Sequence, residues 1–151
     1  MTISTKGRYA LRVLVDLAEN GGREYIPMKE VADRQGISLK YLERILPVLT
    51  QNRILEGVHG RGGGYRLTQS PEKYTVGSIL RLVEGDFAPV ACLECGAAPC
   101  ARESECRTLP MWKGLYRLMT EYLDGITLRD LMRVDPDRQR GINASFLDAS
   151  L

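Results

Sequence analysis

Apolar residues recur at three- to four-residue spacing from the start of the chain. Ala10, Leu11, Leu14, Leu17 and Ala18 share one face of a helix predicted over about Thr5 to Glu19, and Asn20-Gly21-Gly22 ends it. A second, shorter helix is expected to begin with Pro27 in its first position, where a missing N–H costs nothing, and to turn Met28, Val31 and Ala32 inward. Gly36 breaks that helix, and Ser38 is a good N-cap for a third. The buried stripe of the third helix reads Leu39, Leu42, Ile45, Leu46 and Leu49. Pro47 falls inside it and is expected to kink or loosen it, because proline lacks an N–H and clashes with the preceding turn. Two strand-like runs follow, Ile54-Leu55-Glu56 and Tyr65-Arg66-Leu67. The segment between them, Gly57-Val58-His59-Gly60-Arg61-Gly62-Gly63-Gly64, has the glycine density of a hairpin tip. Thr75 and Gly85 bracket a fourth helix with Val76, Ile79, Leu80 and Val83 on one side.

Neither periodicity survives in residues 86–107, where cysteine, proline and small residues dominate. A long helix then starts near Leu109, with Leu109, Trp112, Leu115/Tyr116, Met119 and Tyr122/Leu123 at heptad-like spacing. Thr127 and Asp130 form a capping box for a last short helix. From about Asp135 the sequence reads as a loosely ordered tail. No internal repeat is visible.

At 151 residues and 44% hydrophobic content, the chain has room for one compact domain plus an extra element. No apolar run approaches the roughly 18 residues of a membrane span. The basic start, with Lys6, Arg8 and Arg12, lacks the apolar core of a secretion signal. A cytoplasmic location is therefore expected, with no membrane partner, and there crowded cysteines point to metal or redox chemistry before disulfides. The net charge of +2 says little, but it is unevenly spread. Residues 1–85 carry 13 basic against 9 acidic side chains, and residues 86–151 carry 8 against 10. The basic half is the one suited to approach phosphate.

That half also contains helix-turn-helix grammar. In Val31-Ala32-Asp33-Arg34-Gln35-Gly36-Ile37-Ser38, alanine permits close helix packing, glycine makes the turn, and an apolar residue precedes the cap. The next helix presents Lys40, Tyr41, Glu43 and Arg44 near its N-terminal end. In a major groove, arginine can read guanine and glutamate can accept from cytosine. Ser38, Lys40 and Tyr41 can instead hold phosphates, which position the helix without reading sequence. His59 and Arg61, at the glycine-rich tip, can reach a minor groove. Charged residues on an amphipathic helix are often only its solvated face. A three-helix unit followed at once by a glycine-rich hairpin is the more distinctive sign, and it points to double-stranded DNA.

All four cysteines fall within 15 positions, as Cys92, Cys95, Cys100 and Cys106 in the spacing C-x2-C-x4-C-x5-C. Gly96, Pro99, Glu94 and Glu103 among them are poor core material, so convergence of thiolates on one centre explains the crowding better than burial does. An iron–sulfur cluster, a structural zinc site or a thiol switch remain open at this point. Enzymatic use is disfavoured. The single histidine, His59, lies in the hairpin far from any cysteine in sequence, and no paired carboxylates suggest acid–base chemistry.

Several segments together resemble the IscR/NsrR/RirA-type family of winged-helix regulators. They are Ser4-Thr5-Lys6-Gly7-Arg8-Tyr9-Ala10, Arg34-Gln35-Gly36-Ile37-Ser38 with Tyr41-Leu42-Glu43, Gly62-Gly63-Gly64-Tyr65, Trp112 and Ile126-Thr127-Leu128. The resemblance spans roughly residues 1–133. It implies a mainly α fold with a small β-hairpin wing: a winged helix-turn-helix over 1–85, a cysteine-rich loop over 86–107, a dimerisation helix and short terminal helix over 108–134, and a flexible tail over 135–151. It also implies a homodimeric transcription regulator, repressor or activator, that binds an operator under control of an iron–sulfur cluster (2Fe–2S or 4Fe–4S). Cys92, Cys100 and Cys106 match the three-cysteine pattern of the iron-responsive branch. Leu109 stands where the IscR branch has a histidine ligand, and Arg8 where the nitric-oxide-sensing branch can have an acidic one. The fourth ligand is thus open. Cys95 is the first candidate, beside an exogenous ligand or a residue of a partner chain. Some members of the family keep no cluster and respond to metabolites.

Overall fold

Capping side chains set where the helices begin. The computed structural model describes residues 3–132, and the expected tail over 135–151 lies outside them. At the head of α1 (Thr5–Asn20), the Ser4 hydroxyl accepts from the amides of Lys6 and Gly7. Ser38 does the same for Tyr41 at α3 (Leu39–Gln51), and Thr75 for Ser78 at α4 (Val76–Glu84). At α6 (Leu128–Leu131), Thr127 and Asp130 form the reciprocal capping box expected of them. Pro27 departs from expectation by one place. It is the N-cap of α2 (Met28–Gln35), not its first residue, with an extended ψ of 133°. The cause is tertiary. Ile26 exchanges two backbone hydrogen bonds with Tyr65, 3.0 and 2.9 Å, so the chain is still strand-like at that point. Gly36 ends α2 in the left-handed region at φ 62°, which a side chain would resist.

In α3, Leu42, Ile45, Leu46 and Leu49 are buried as expected, but Leu39 is 43% exposed. It occupies the first helical position and projects from the open end of the helix. The helix continues through Pro47 to Gln51. Strands β1 (Leu55–Val58) and β2 (Gly64–Leu67) then pair antiparallel, in a register running from Leu55 opposite Leu67 to Val58 opposite Gly64. Gly64 has no room for a side chain: a methyl there would run into the backbone of Ile26 and Pro27. The glycine lets the wing lie against the entry to α2.

One core joins α1, α2, α3, the wing and α4, built on Leu14, Leu42, Ile45, Leu49, Leu55 and Ile79. Leu128 of α6 is fully buried in that core. The sequence grouped α6 with the long helix, yet backbone bonds from Val76 to the Ile126 carbonyl and from Leu128 to the Tyr74 carbonyl tie it to the winged unit. Glu84 links the two ends of that unit. Its Oε1 accepts from the Ser4 hydroxyl (2.6 Å) and the Gly7 amide (2.8 Å), closing the end of α4 onto the positive end of α1.

Helix α5 (Leu109–Asp124) differs from the others because none of its residues is buried. Tyr116, Tyr122 and Leu123 pack on a small second cluster of Val76, Leu80, Phe87 and Ile126. An Arg81–Asp124 ion pair of 2.5 Å ties the end of α5 to α4. Met111, Leu115 and Leu118, spaced along one side, are exposed. Among the described residues no helix is long and apolar enough to cross a membrane.

Candidate functional site

Two groups of residues have chemistry that the core does not consume. The first is the start of α3 with the wing. Lys40, Glu43 and Arg44 are exposed on the first two turns of α3, while the Ser38 hydroxyl is engaged in capping Tyr41. Tyr41 is half-buried, its ring edge-on to Tyr9 of α1 at 5.2 Å between centroids. The Arg12 guanidinium lies 5.3 Å from the Tyr9 ring and bonds Gln35 at the end of α2. This aromatic and cationic stack holds the start of α3 and the end of α2 against α1. The sequence does not show this contact, because periodicity does not reveal which half-buried aromatics meet.

At the wing tip His59 and Arg61 are both exposed, and the turn is closed by a 3.0 Å bond from the Gly63 amide to the Gly60 carbonyl. The root of the wing is stiffer. Arg66 donates to Glu56 at 2.5 Å and to the Arg23 carbonyl at 2.7 Å, and its guanidinium lies 4.4 Å from the Tyr25 ring centre. An exposed tip carrying Arg61 on a root held by these contacts is a shape able to enter a groove of DNA.

The second group is the cysteine segment. Cys92 lies in a 3-10 turn, Ala91–Leu93, and Cys106 directly follows another, Glu103–Glu105. Cys92, Cys100 and Cys106 line one cavity of about 30 Å³, together with Leu93, Glu103 and Leu109. Cys95 does not line it. Its backbone amide instead donates to Asp86 Oδ2 at 2.7 Å. All four thiols are free. Among the described residues, no three histidine, cysteine or acidic side chains already stand in a metal-holding array. The donor set of three thiols and a carboxylate suits a thiophilic metal centre. The cavity as it stands is small, and a cluster would require the turns to open. Cys92, Cys95 and Cys100 are exposed and only short turns hold this segment.

Local hydrogen bonding tunes two groups here. The Thr108 hydroxyl, 3.5 Å from Cys106 Sγ, together with the first amides of α5, holds the Cys106 thiol below the ordinary thiol range despite partial burial. Partial burial pushes the Asp86 carboxyl up. Bonds from the Tyr116 hydroxyl and from the amides of Cys95, Ala88 and Phe87 more than offset this, and the net direction is down. The Tyr116 phenol is raised by the same bond to Asp86 and by burial. Asp86 Oδ1 accepts from Tyr116 at 2.7 Å and Oδ2 from Cys95, so one carboxylate ties the cysteine segment to the middle of α5. Sequence reasoning missed Asp86, which lies at a featureless boundary.

Comparison with known proteins bears on both groups. The model of the Rrf2 family, described as iron-dependent transcriptional regulator, matches residues 3–134. The HTH-type transcriptional regulator IscR of Aliivibrio salmonicida is 34% identical over 151 residues, covering 100% of this chain and 88% of that protein. Among solved structures, CymR, the global cysteine regulator of B. subtilis, superposes with a TM-score of 0.70 at 34% identity, over 87% of this chain and 95% of that one. IscR of T. potens gives a TM-score of 0.67 at 33% identity, over 87% and 85%.

Proposed function

Because the chain belongs to the Rrf2 family of transcriptional regulators, we propose that it binds an operator as a homodimer, with its affinity set by an iron–sulfur cluster on Cys92, Cys100 and Cys106. DNA-binding regulation, not enzymatic turnover, is the activity its relatives share. The observation that carries the cluster reading is the lining of one cavity by those three thiols, at the foot of α5. When bound, such a cluster supplies an iron–thiolate centre sensitive to oxidation and to ligand exchange. In α5, the absence of any buried residue and the exposed series Met111, Leu115 and Leu118 support its use as the seam between two copies.

The residues divide the work as follows. Lys40 and the Ser38–Tyr41 cap hold phosphates, Glu43 and Arg44 face base edges in the major groove, and His59 and Arg61 follow the minor groove. Drawing Cys92 and Cys100 toward Cys106 reshapes the segment whose Cys95 amide is bound to Asp86. Asp86 passes that shift to Tyr116 in α5. Two recognition helices joined through α5 must meet half-sites about 34–36 Å apart, and small changes of spacing are penalised.

A second reading has its own support. Cys106 is a partly exposed thiol with a lowered pKa, and CymR is a cysteine regulator. Reversible oxidation of the thiols could then replace cluster chemistry. Anaerobic purification with a visible spectrum and with iron, sulfide and zinc per chain separates the two. Charge-transfer bands with matched iron and sulfide are expected. A colourless, iron-free protein after attempted reconstitution, still binding DNA in a thiol-dependent way, would replace the cluster with the switch.

A further inference from the structure

We propose that Glu103 is the fourth protein ligand of the centre held by Cys92, Cys100 and Cys106, which makes it a site of three thiolates and one carboxylate. The proposal rests on the reading of those cysteines as metal ligands and settles which side chain completes the set. Six residues line the cavity, and two of them, Leu93 and Leu109, have no donor atom. The remaining four are the three cysteines and Glu103. Cys95, the first candidate for the fourth ligand, does not line the cavity; its amide is bound to Asp86, which also accepts from Tyr116 of α5.

Glu103 is also placed to stay oriented once it ligates. Its Oε1 lies 3.2 Å from Lys113 Nζ on the second turn of α5. Both side chains are about half exposed, at 53% and 55%, so this ion pair is weak enough to yield one carboxylate oxygen. A carboxylate with one oxygen on the metal and the other on Lys113 is the usual outer-shell arrangement that fixes a ligating group. Lys113 also offsets part of the negative charge of three thiolates and a carboxylate. Glu103 opens the 3-10 turn that leads into Cys106, so ligation by both would clamp that turn at the foot of α5.

Cobalt(II) titration of the full-length, reduced protein under anaerobic conditions tests the assignment without depending on cluster assembly. The thiolate-to-cobalt charge-transfer intensity counts the cysteines, and the ligand-field bands report the fourth donor. Wild type is expected to bind one cobalt per chain, with each of Cys92→Ala, Cys100→Ala and Cys106→Ala losing one thiolate's share of intensity. Cys95→Ser should leave both signals unchanged. Glu103→Gln should keep the thiolate count, shift the ligand-field bands and weaken cobalt binding by about 10-fold or more. Lys113→Met should weaken binding less and leave the bands in place, which separates ligation from loss of the ion pair. Unshifted ligand-field bands in Glu103→Gln overturn the proposal, and a lower charge-transfer intensity in Cys95→Ser would put Cys95 in its place. A wild type that takes up no cobalt overturns the four-donor site and with it the role of Glu103, while the cluster reading stands or falls separately on iron and sulfide per chain. Far-UV circular dichroism of each variant confirms that the fold is intact before its spectrum is compared.

Discussion

Asp16 is the buried charge on which the geometry of the helix-turn-helix depends. Its side chain in α1 is 2% exposed, and its carboxylate accepts from Arg34 Nη2 at 2.6 Å, from Arg34 Nε at 3.1 Å to each oxygen, and from Gln35 Nε2 at 2.8 Å. All the donors come from the last turn of α2, so the carboxylate sets how α2, and α3 after it, sits on α1. Breaking a fully buried pair costs about 3–5 kcal/mol, and a surface pair is worth about 0–1 kcal/mol. Arg34 is 36% exposed and the pair falls between these cases. Asp16→Asn keeps the volume, removes the charge and sets an NH2 group against the donors, for an expected loss of about 2–3 kcal/mol, near one charge-assisted hydrogen bond. A cycle with Arg34→Met, followed by urea unfolding with the m-value checked for constancy, should give a coupling of about 1 kcal/mol or more. A coupling within the roughly 0.3–0.5 kcal/mol of simple additivity would refute the reasoning and reduce the contact to a solvated surface pair.

Other predictions concern the functional surfaces. Asp86→Asn should leave metal uptake intact but bring the DNA affinities of the loaded and metal-free forms together; a ratio equal to wild type would remove Asp86 as the link to α5. In a variant retaining Cys106 as its one cysteine, the alkylation rate should rise with pH around a midpoint below the ordinary thiol range, because a lowered pKa preserves thiolate as pH falls, and Thr108→Ala should move the midpoint up. An unmoved midpoint would show that the hydroxyl plays no part. Arg44→Ala should cost about 1–3 kcal/mol on the preferred operator and relax specificity, whereas Lys40→Ala should weaken binding on all sequences and reduce the salt slope by about 1. Equal losses on specific and random duplexes for both variants would show that Arg44 holds phosphate too.

Much of the fold could be read from local chemistry. Ser38, Thr75 and the Thr127–Asp130 pair marked helix starts because capping is decided within four residues, and Gly36 and Gly85 marked ends for the same reason. Spacing could not show what depends on contacts between distant segments. The Ile26–Tyr65 bridge delays α2 and places Pro27 at its cap, and α6 belongs to the main core through Leu128 although it follows α5 in the chain. Leu39 fits the apolar stripe in sequence, yet the stripe runs past the end of the surface that covers it. The cysteine segment was recognisable from its crowding. Which donors share a cavity was not, because the backbone there has no period and a carboxylate such as Glu103 reads as an ordinary surface residue.

The most direct test of the regulatory reading is operator affinity measured on one preparation in two states. A duplex selected from a random pool by the full-length protein would be followed by fluorescence anisotropy at fixed salt, anaerobically, before and after the centre is removed with a chelator. Control by the cysteine site predicts at least about a 10-fold change in Kd, or about 1.4 kcal/mol, and no change in Cys106→Ala. Equal affinities in the two states of the wild type would contradict it, leaving a DNA-binding regulator whose cysteines serve some other purpose.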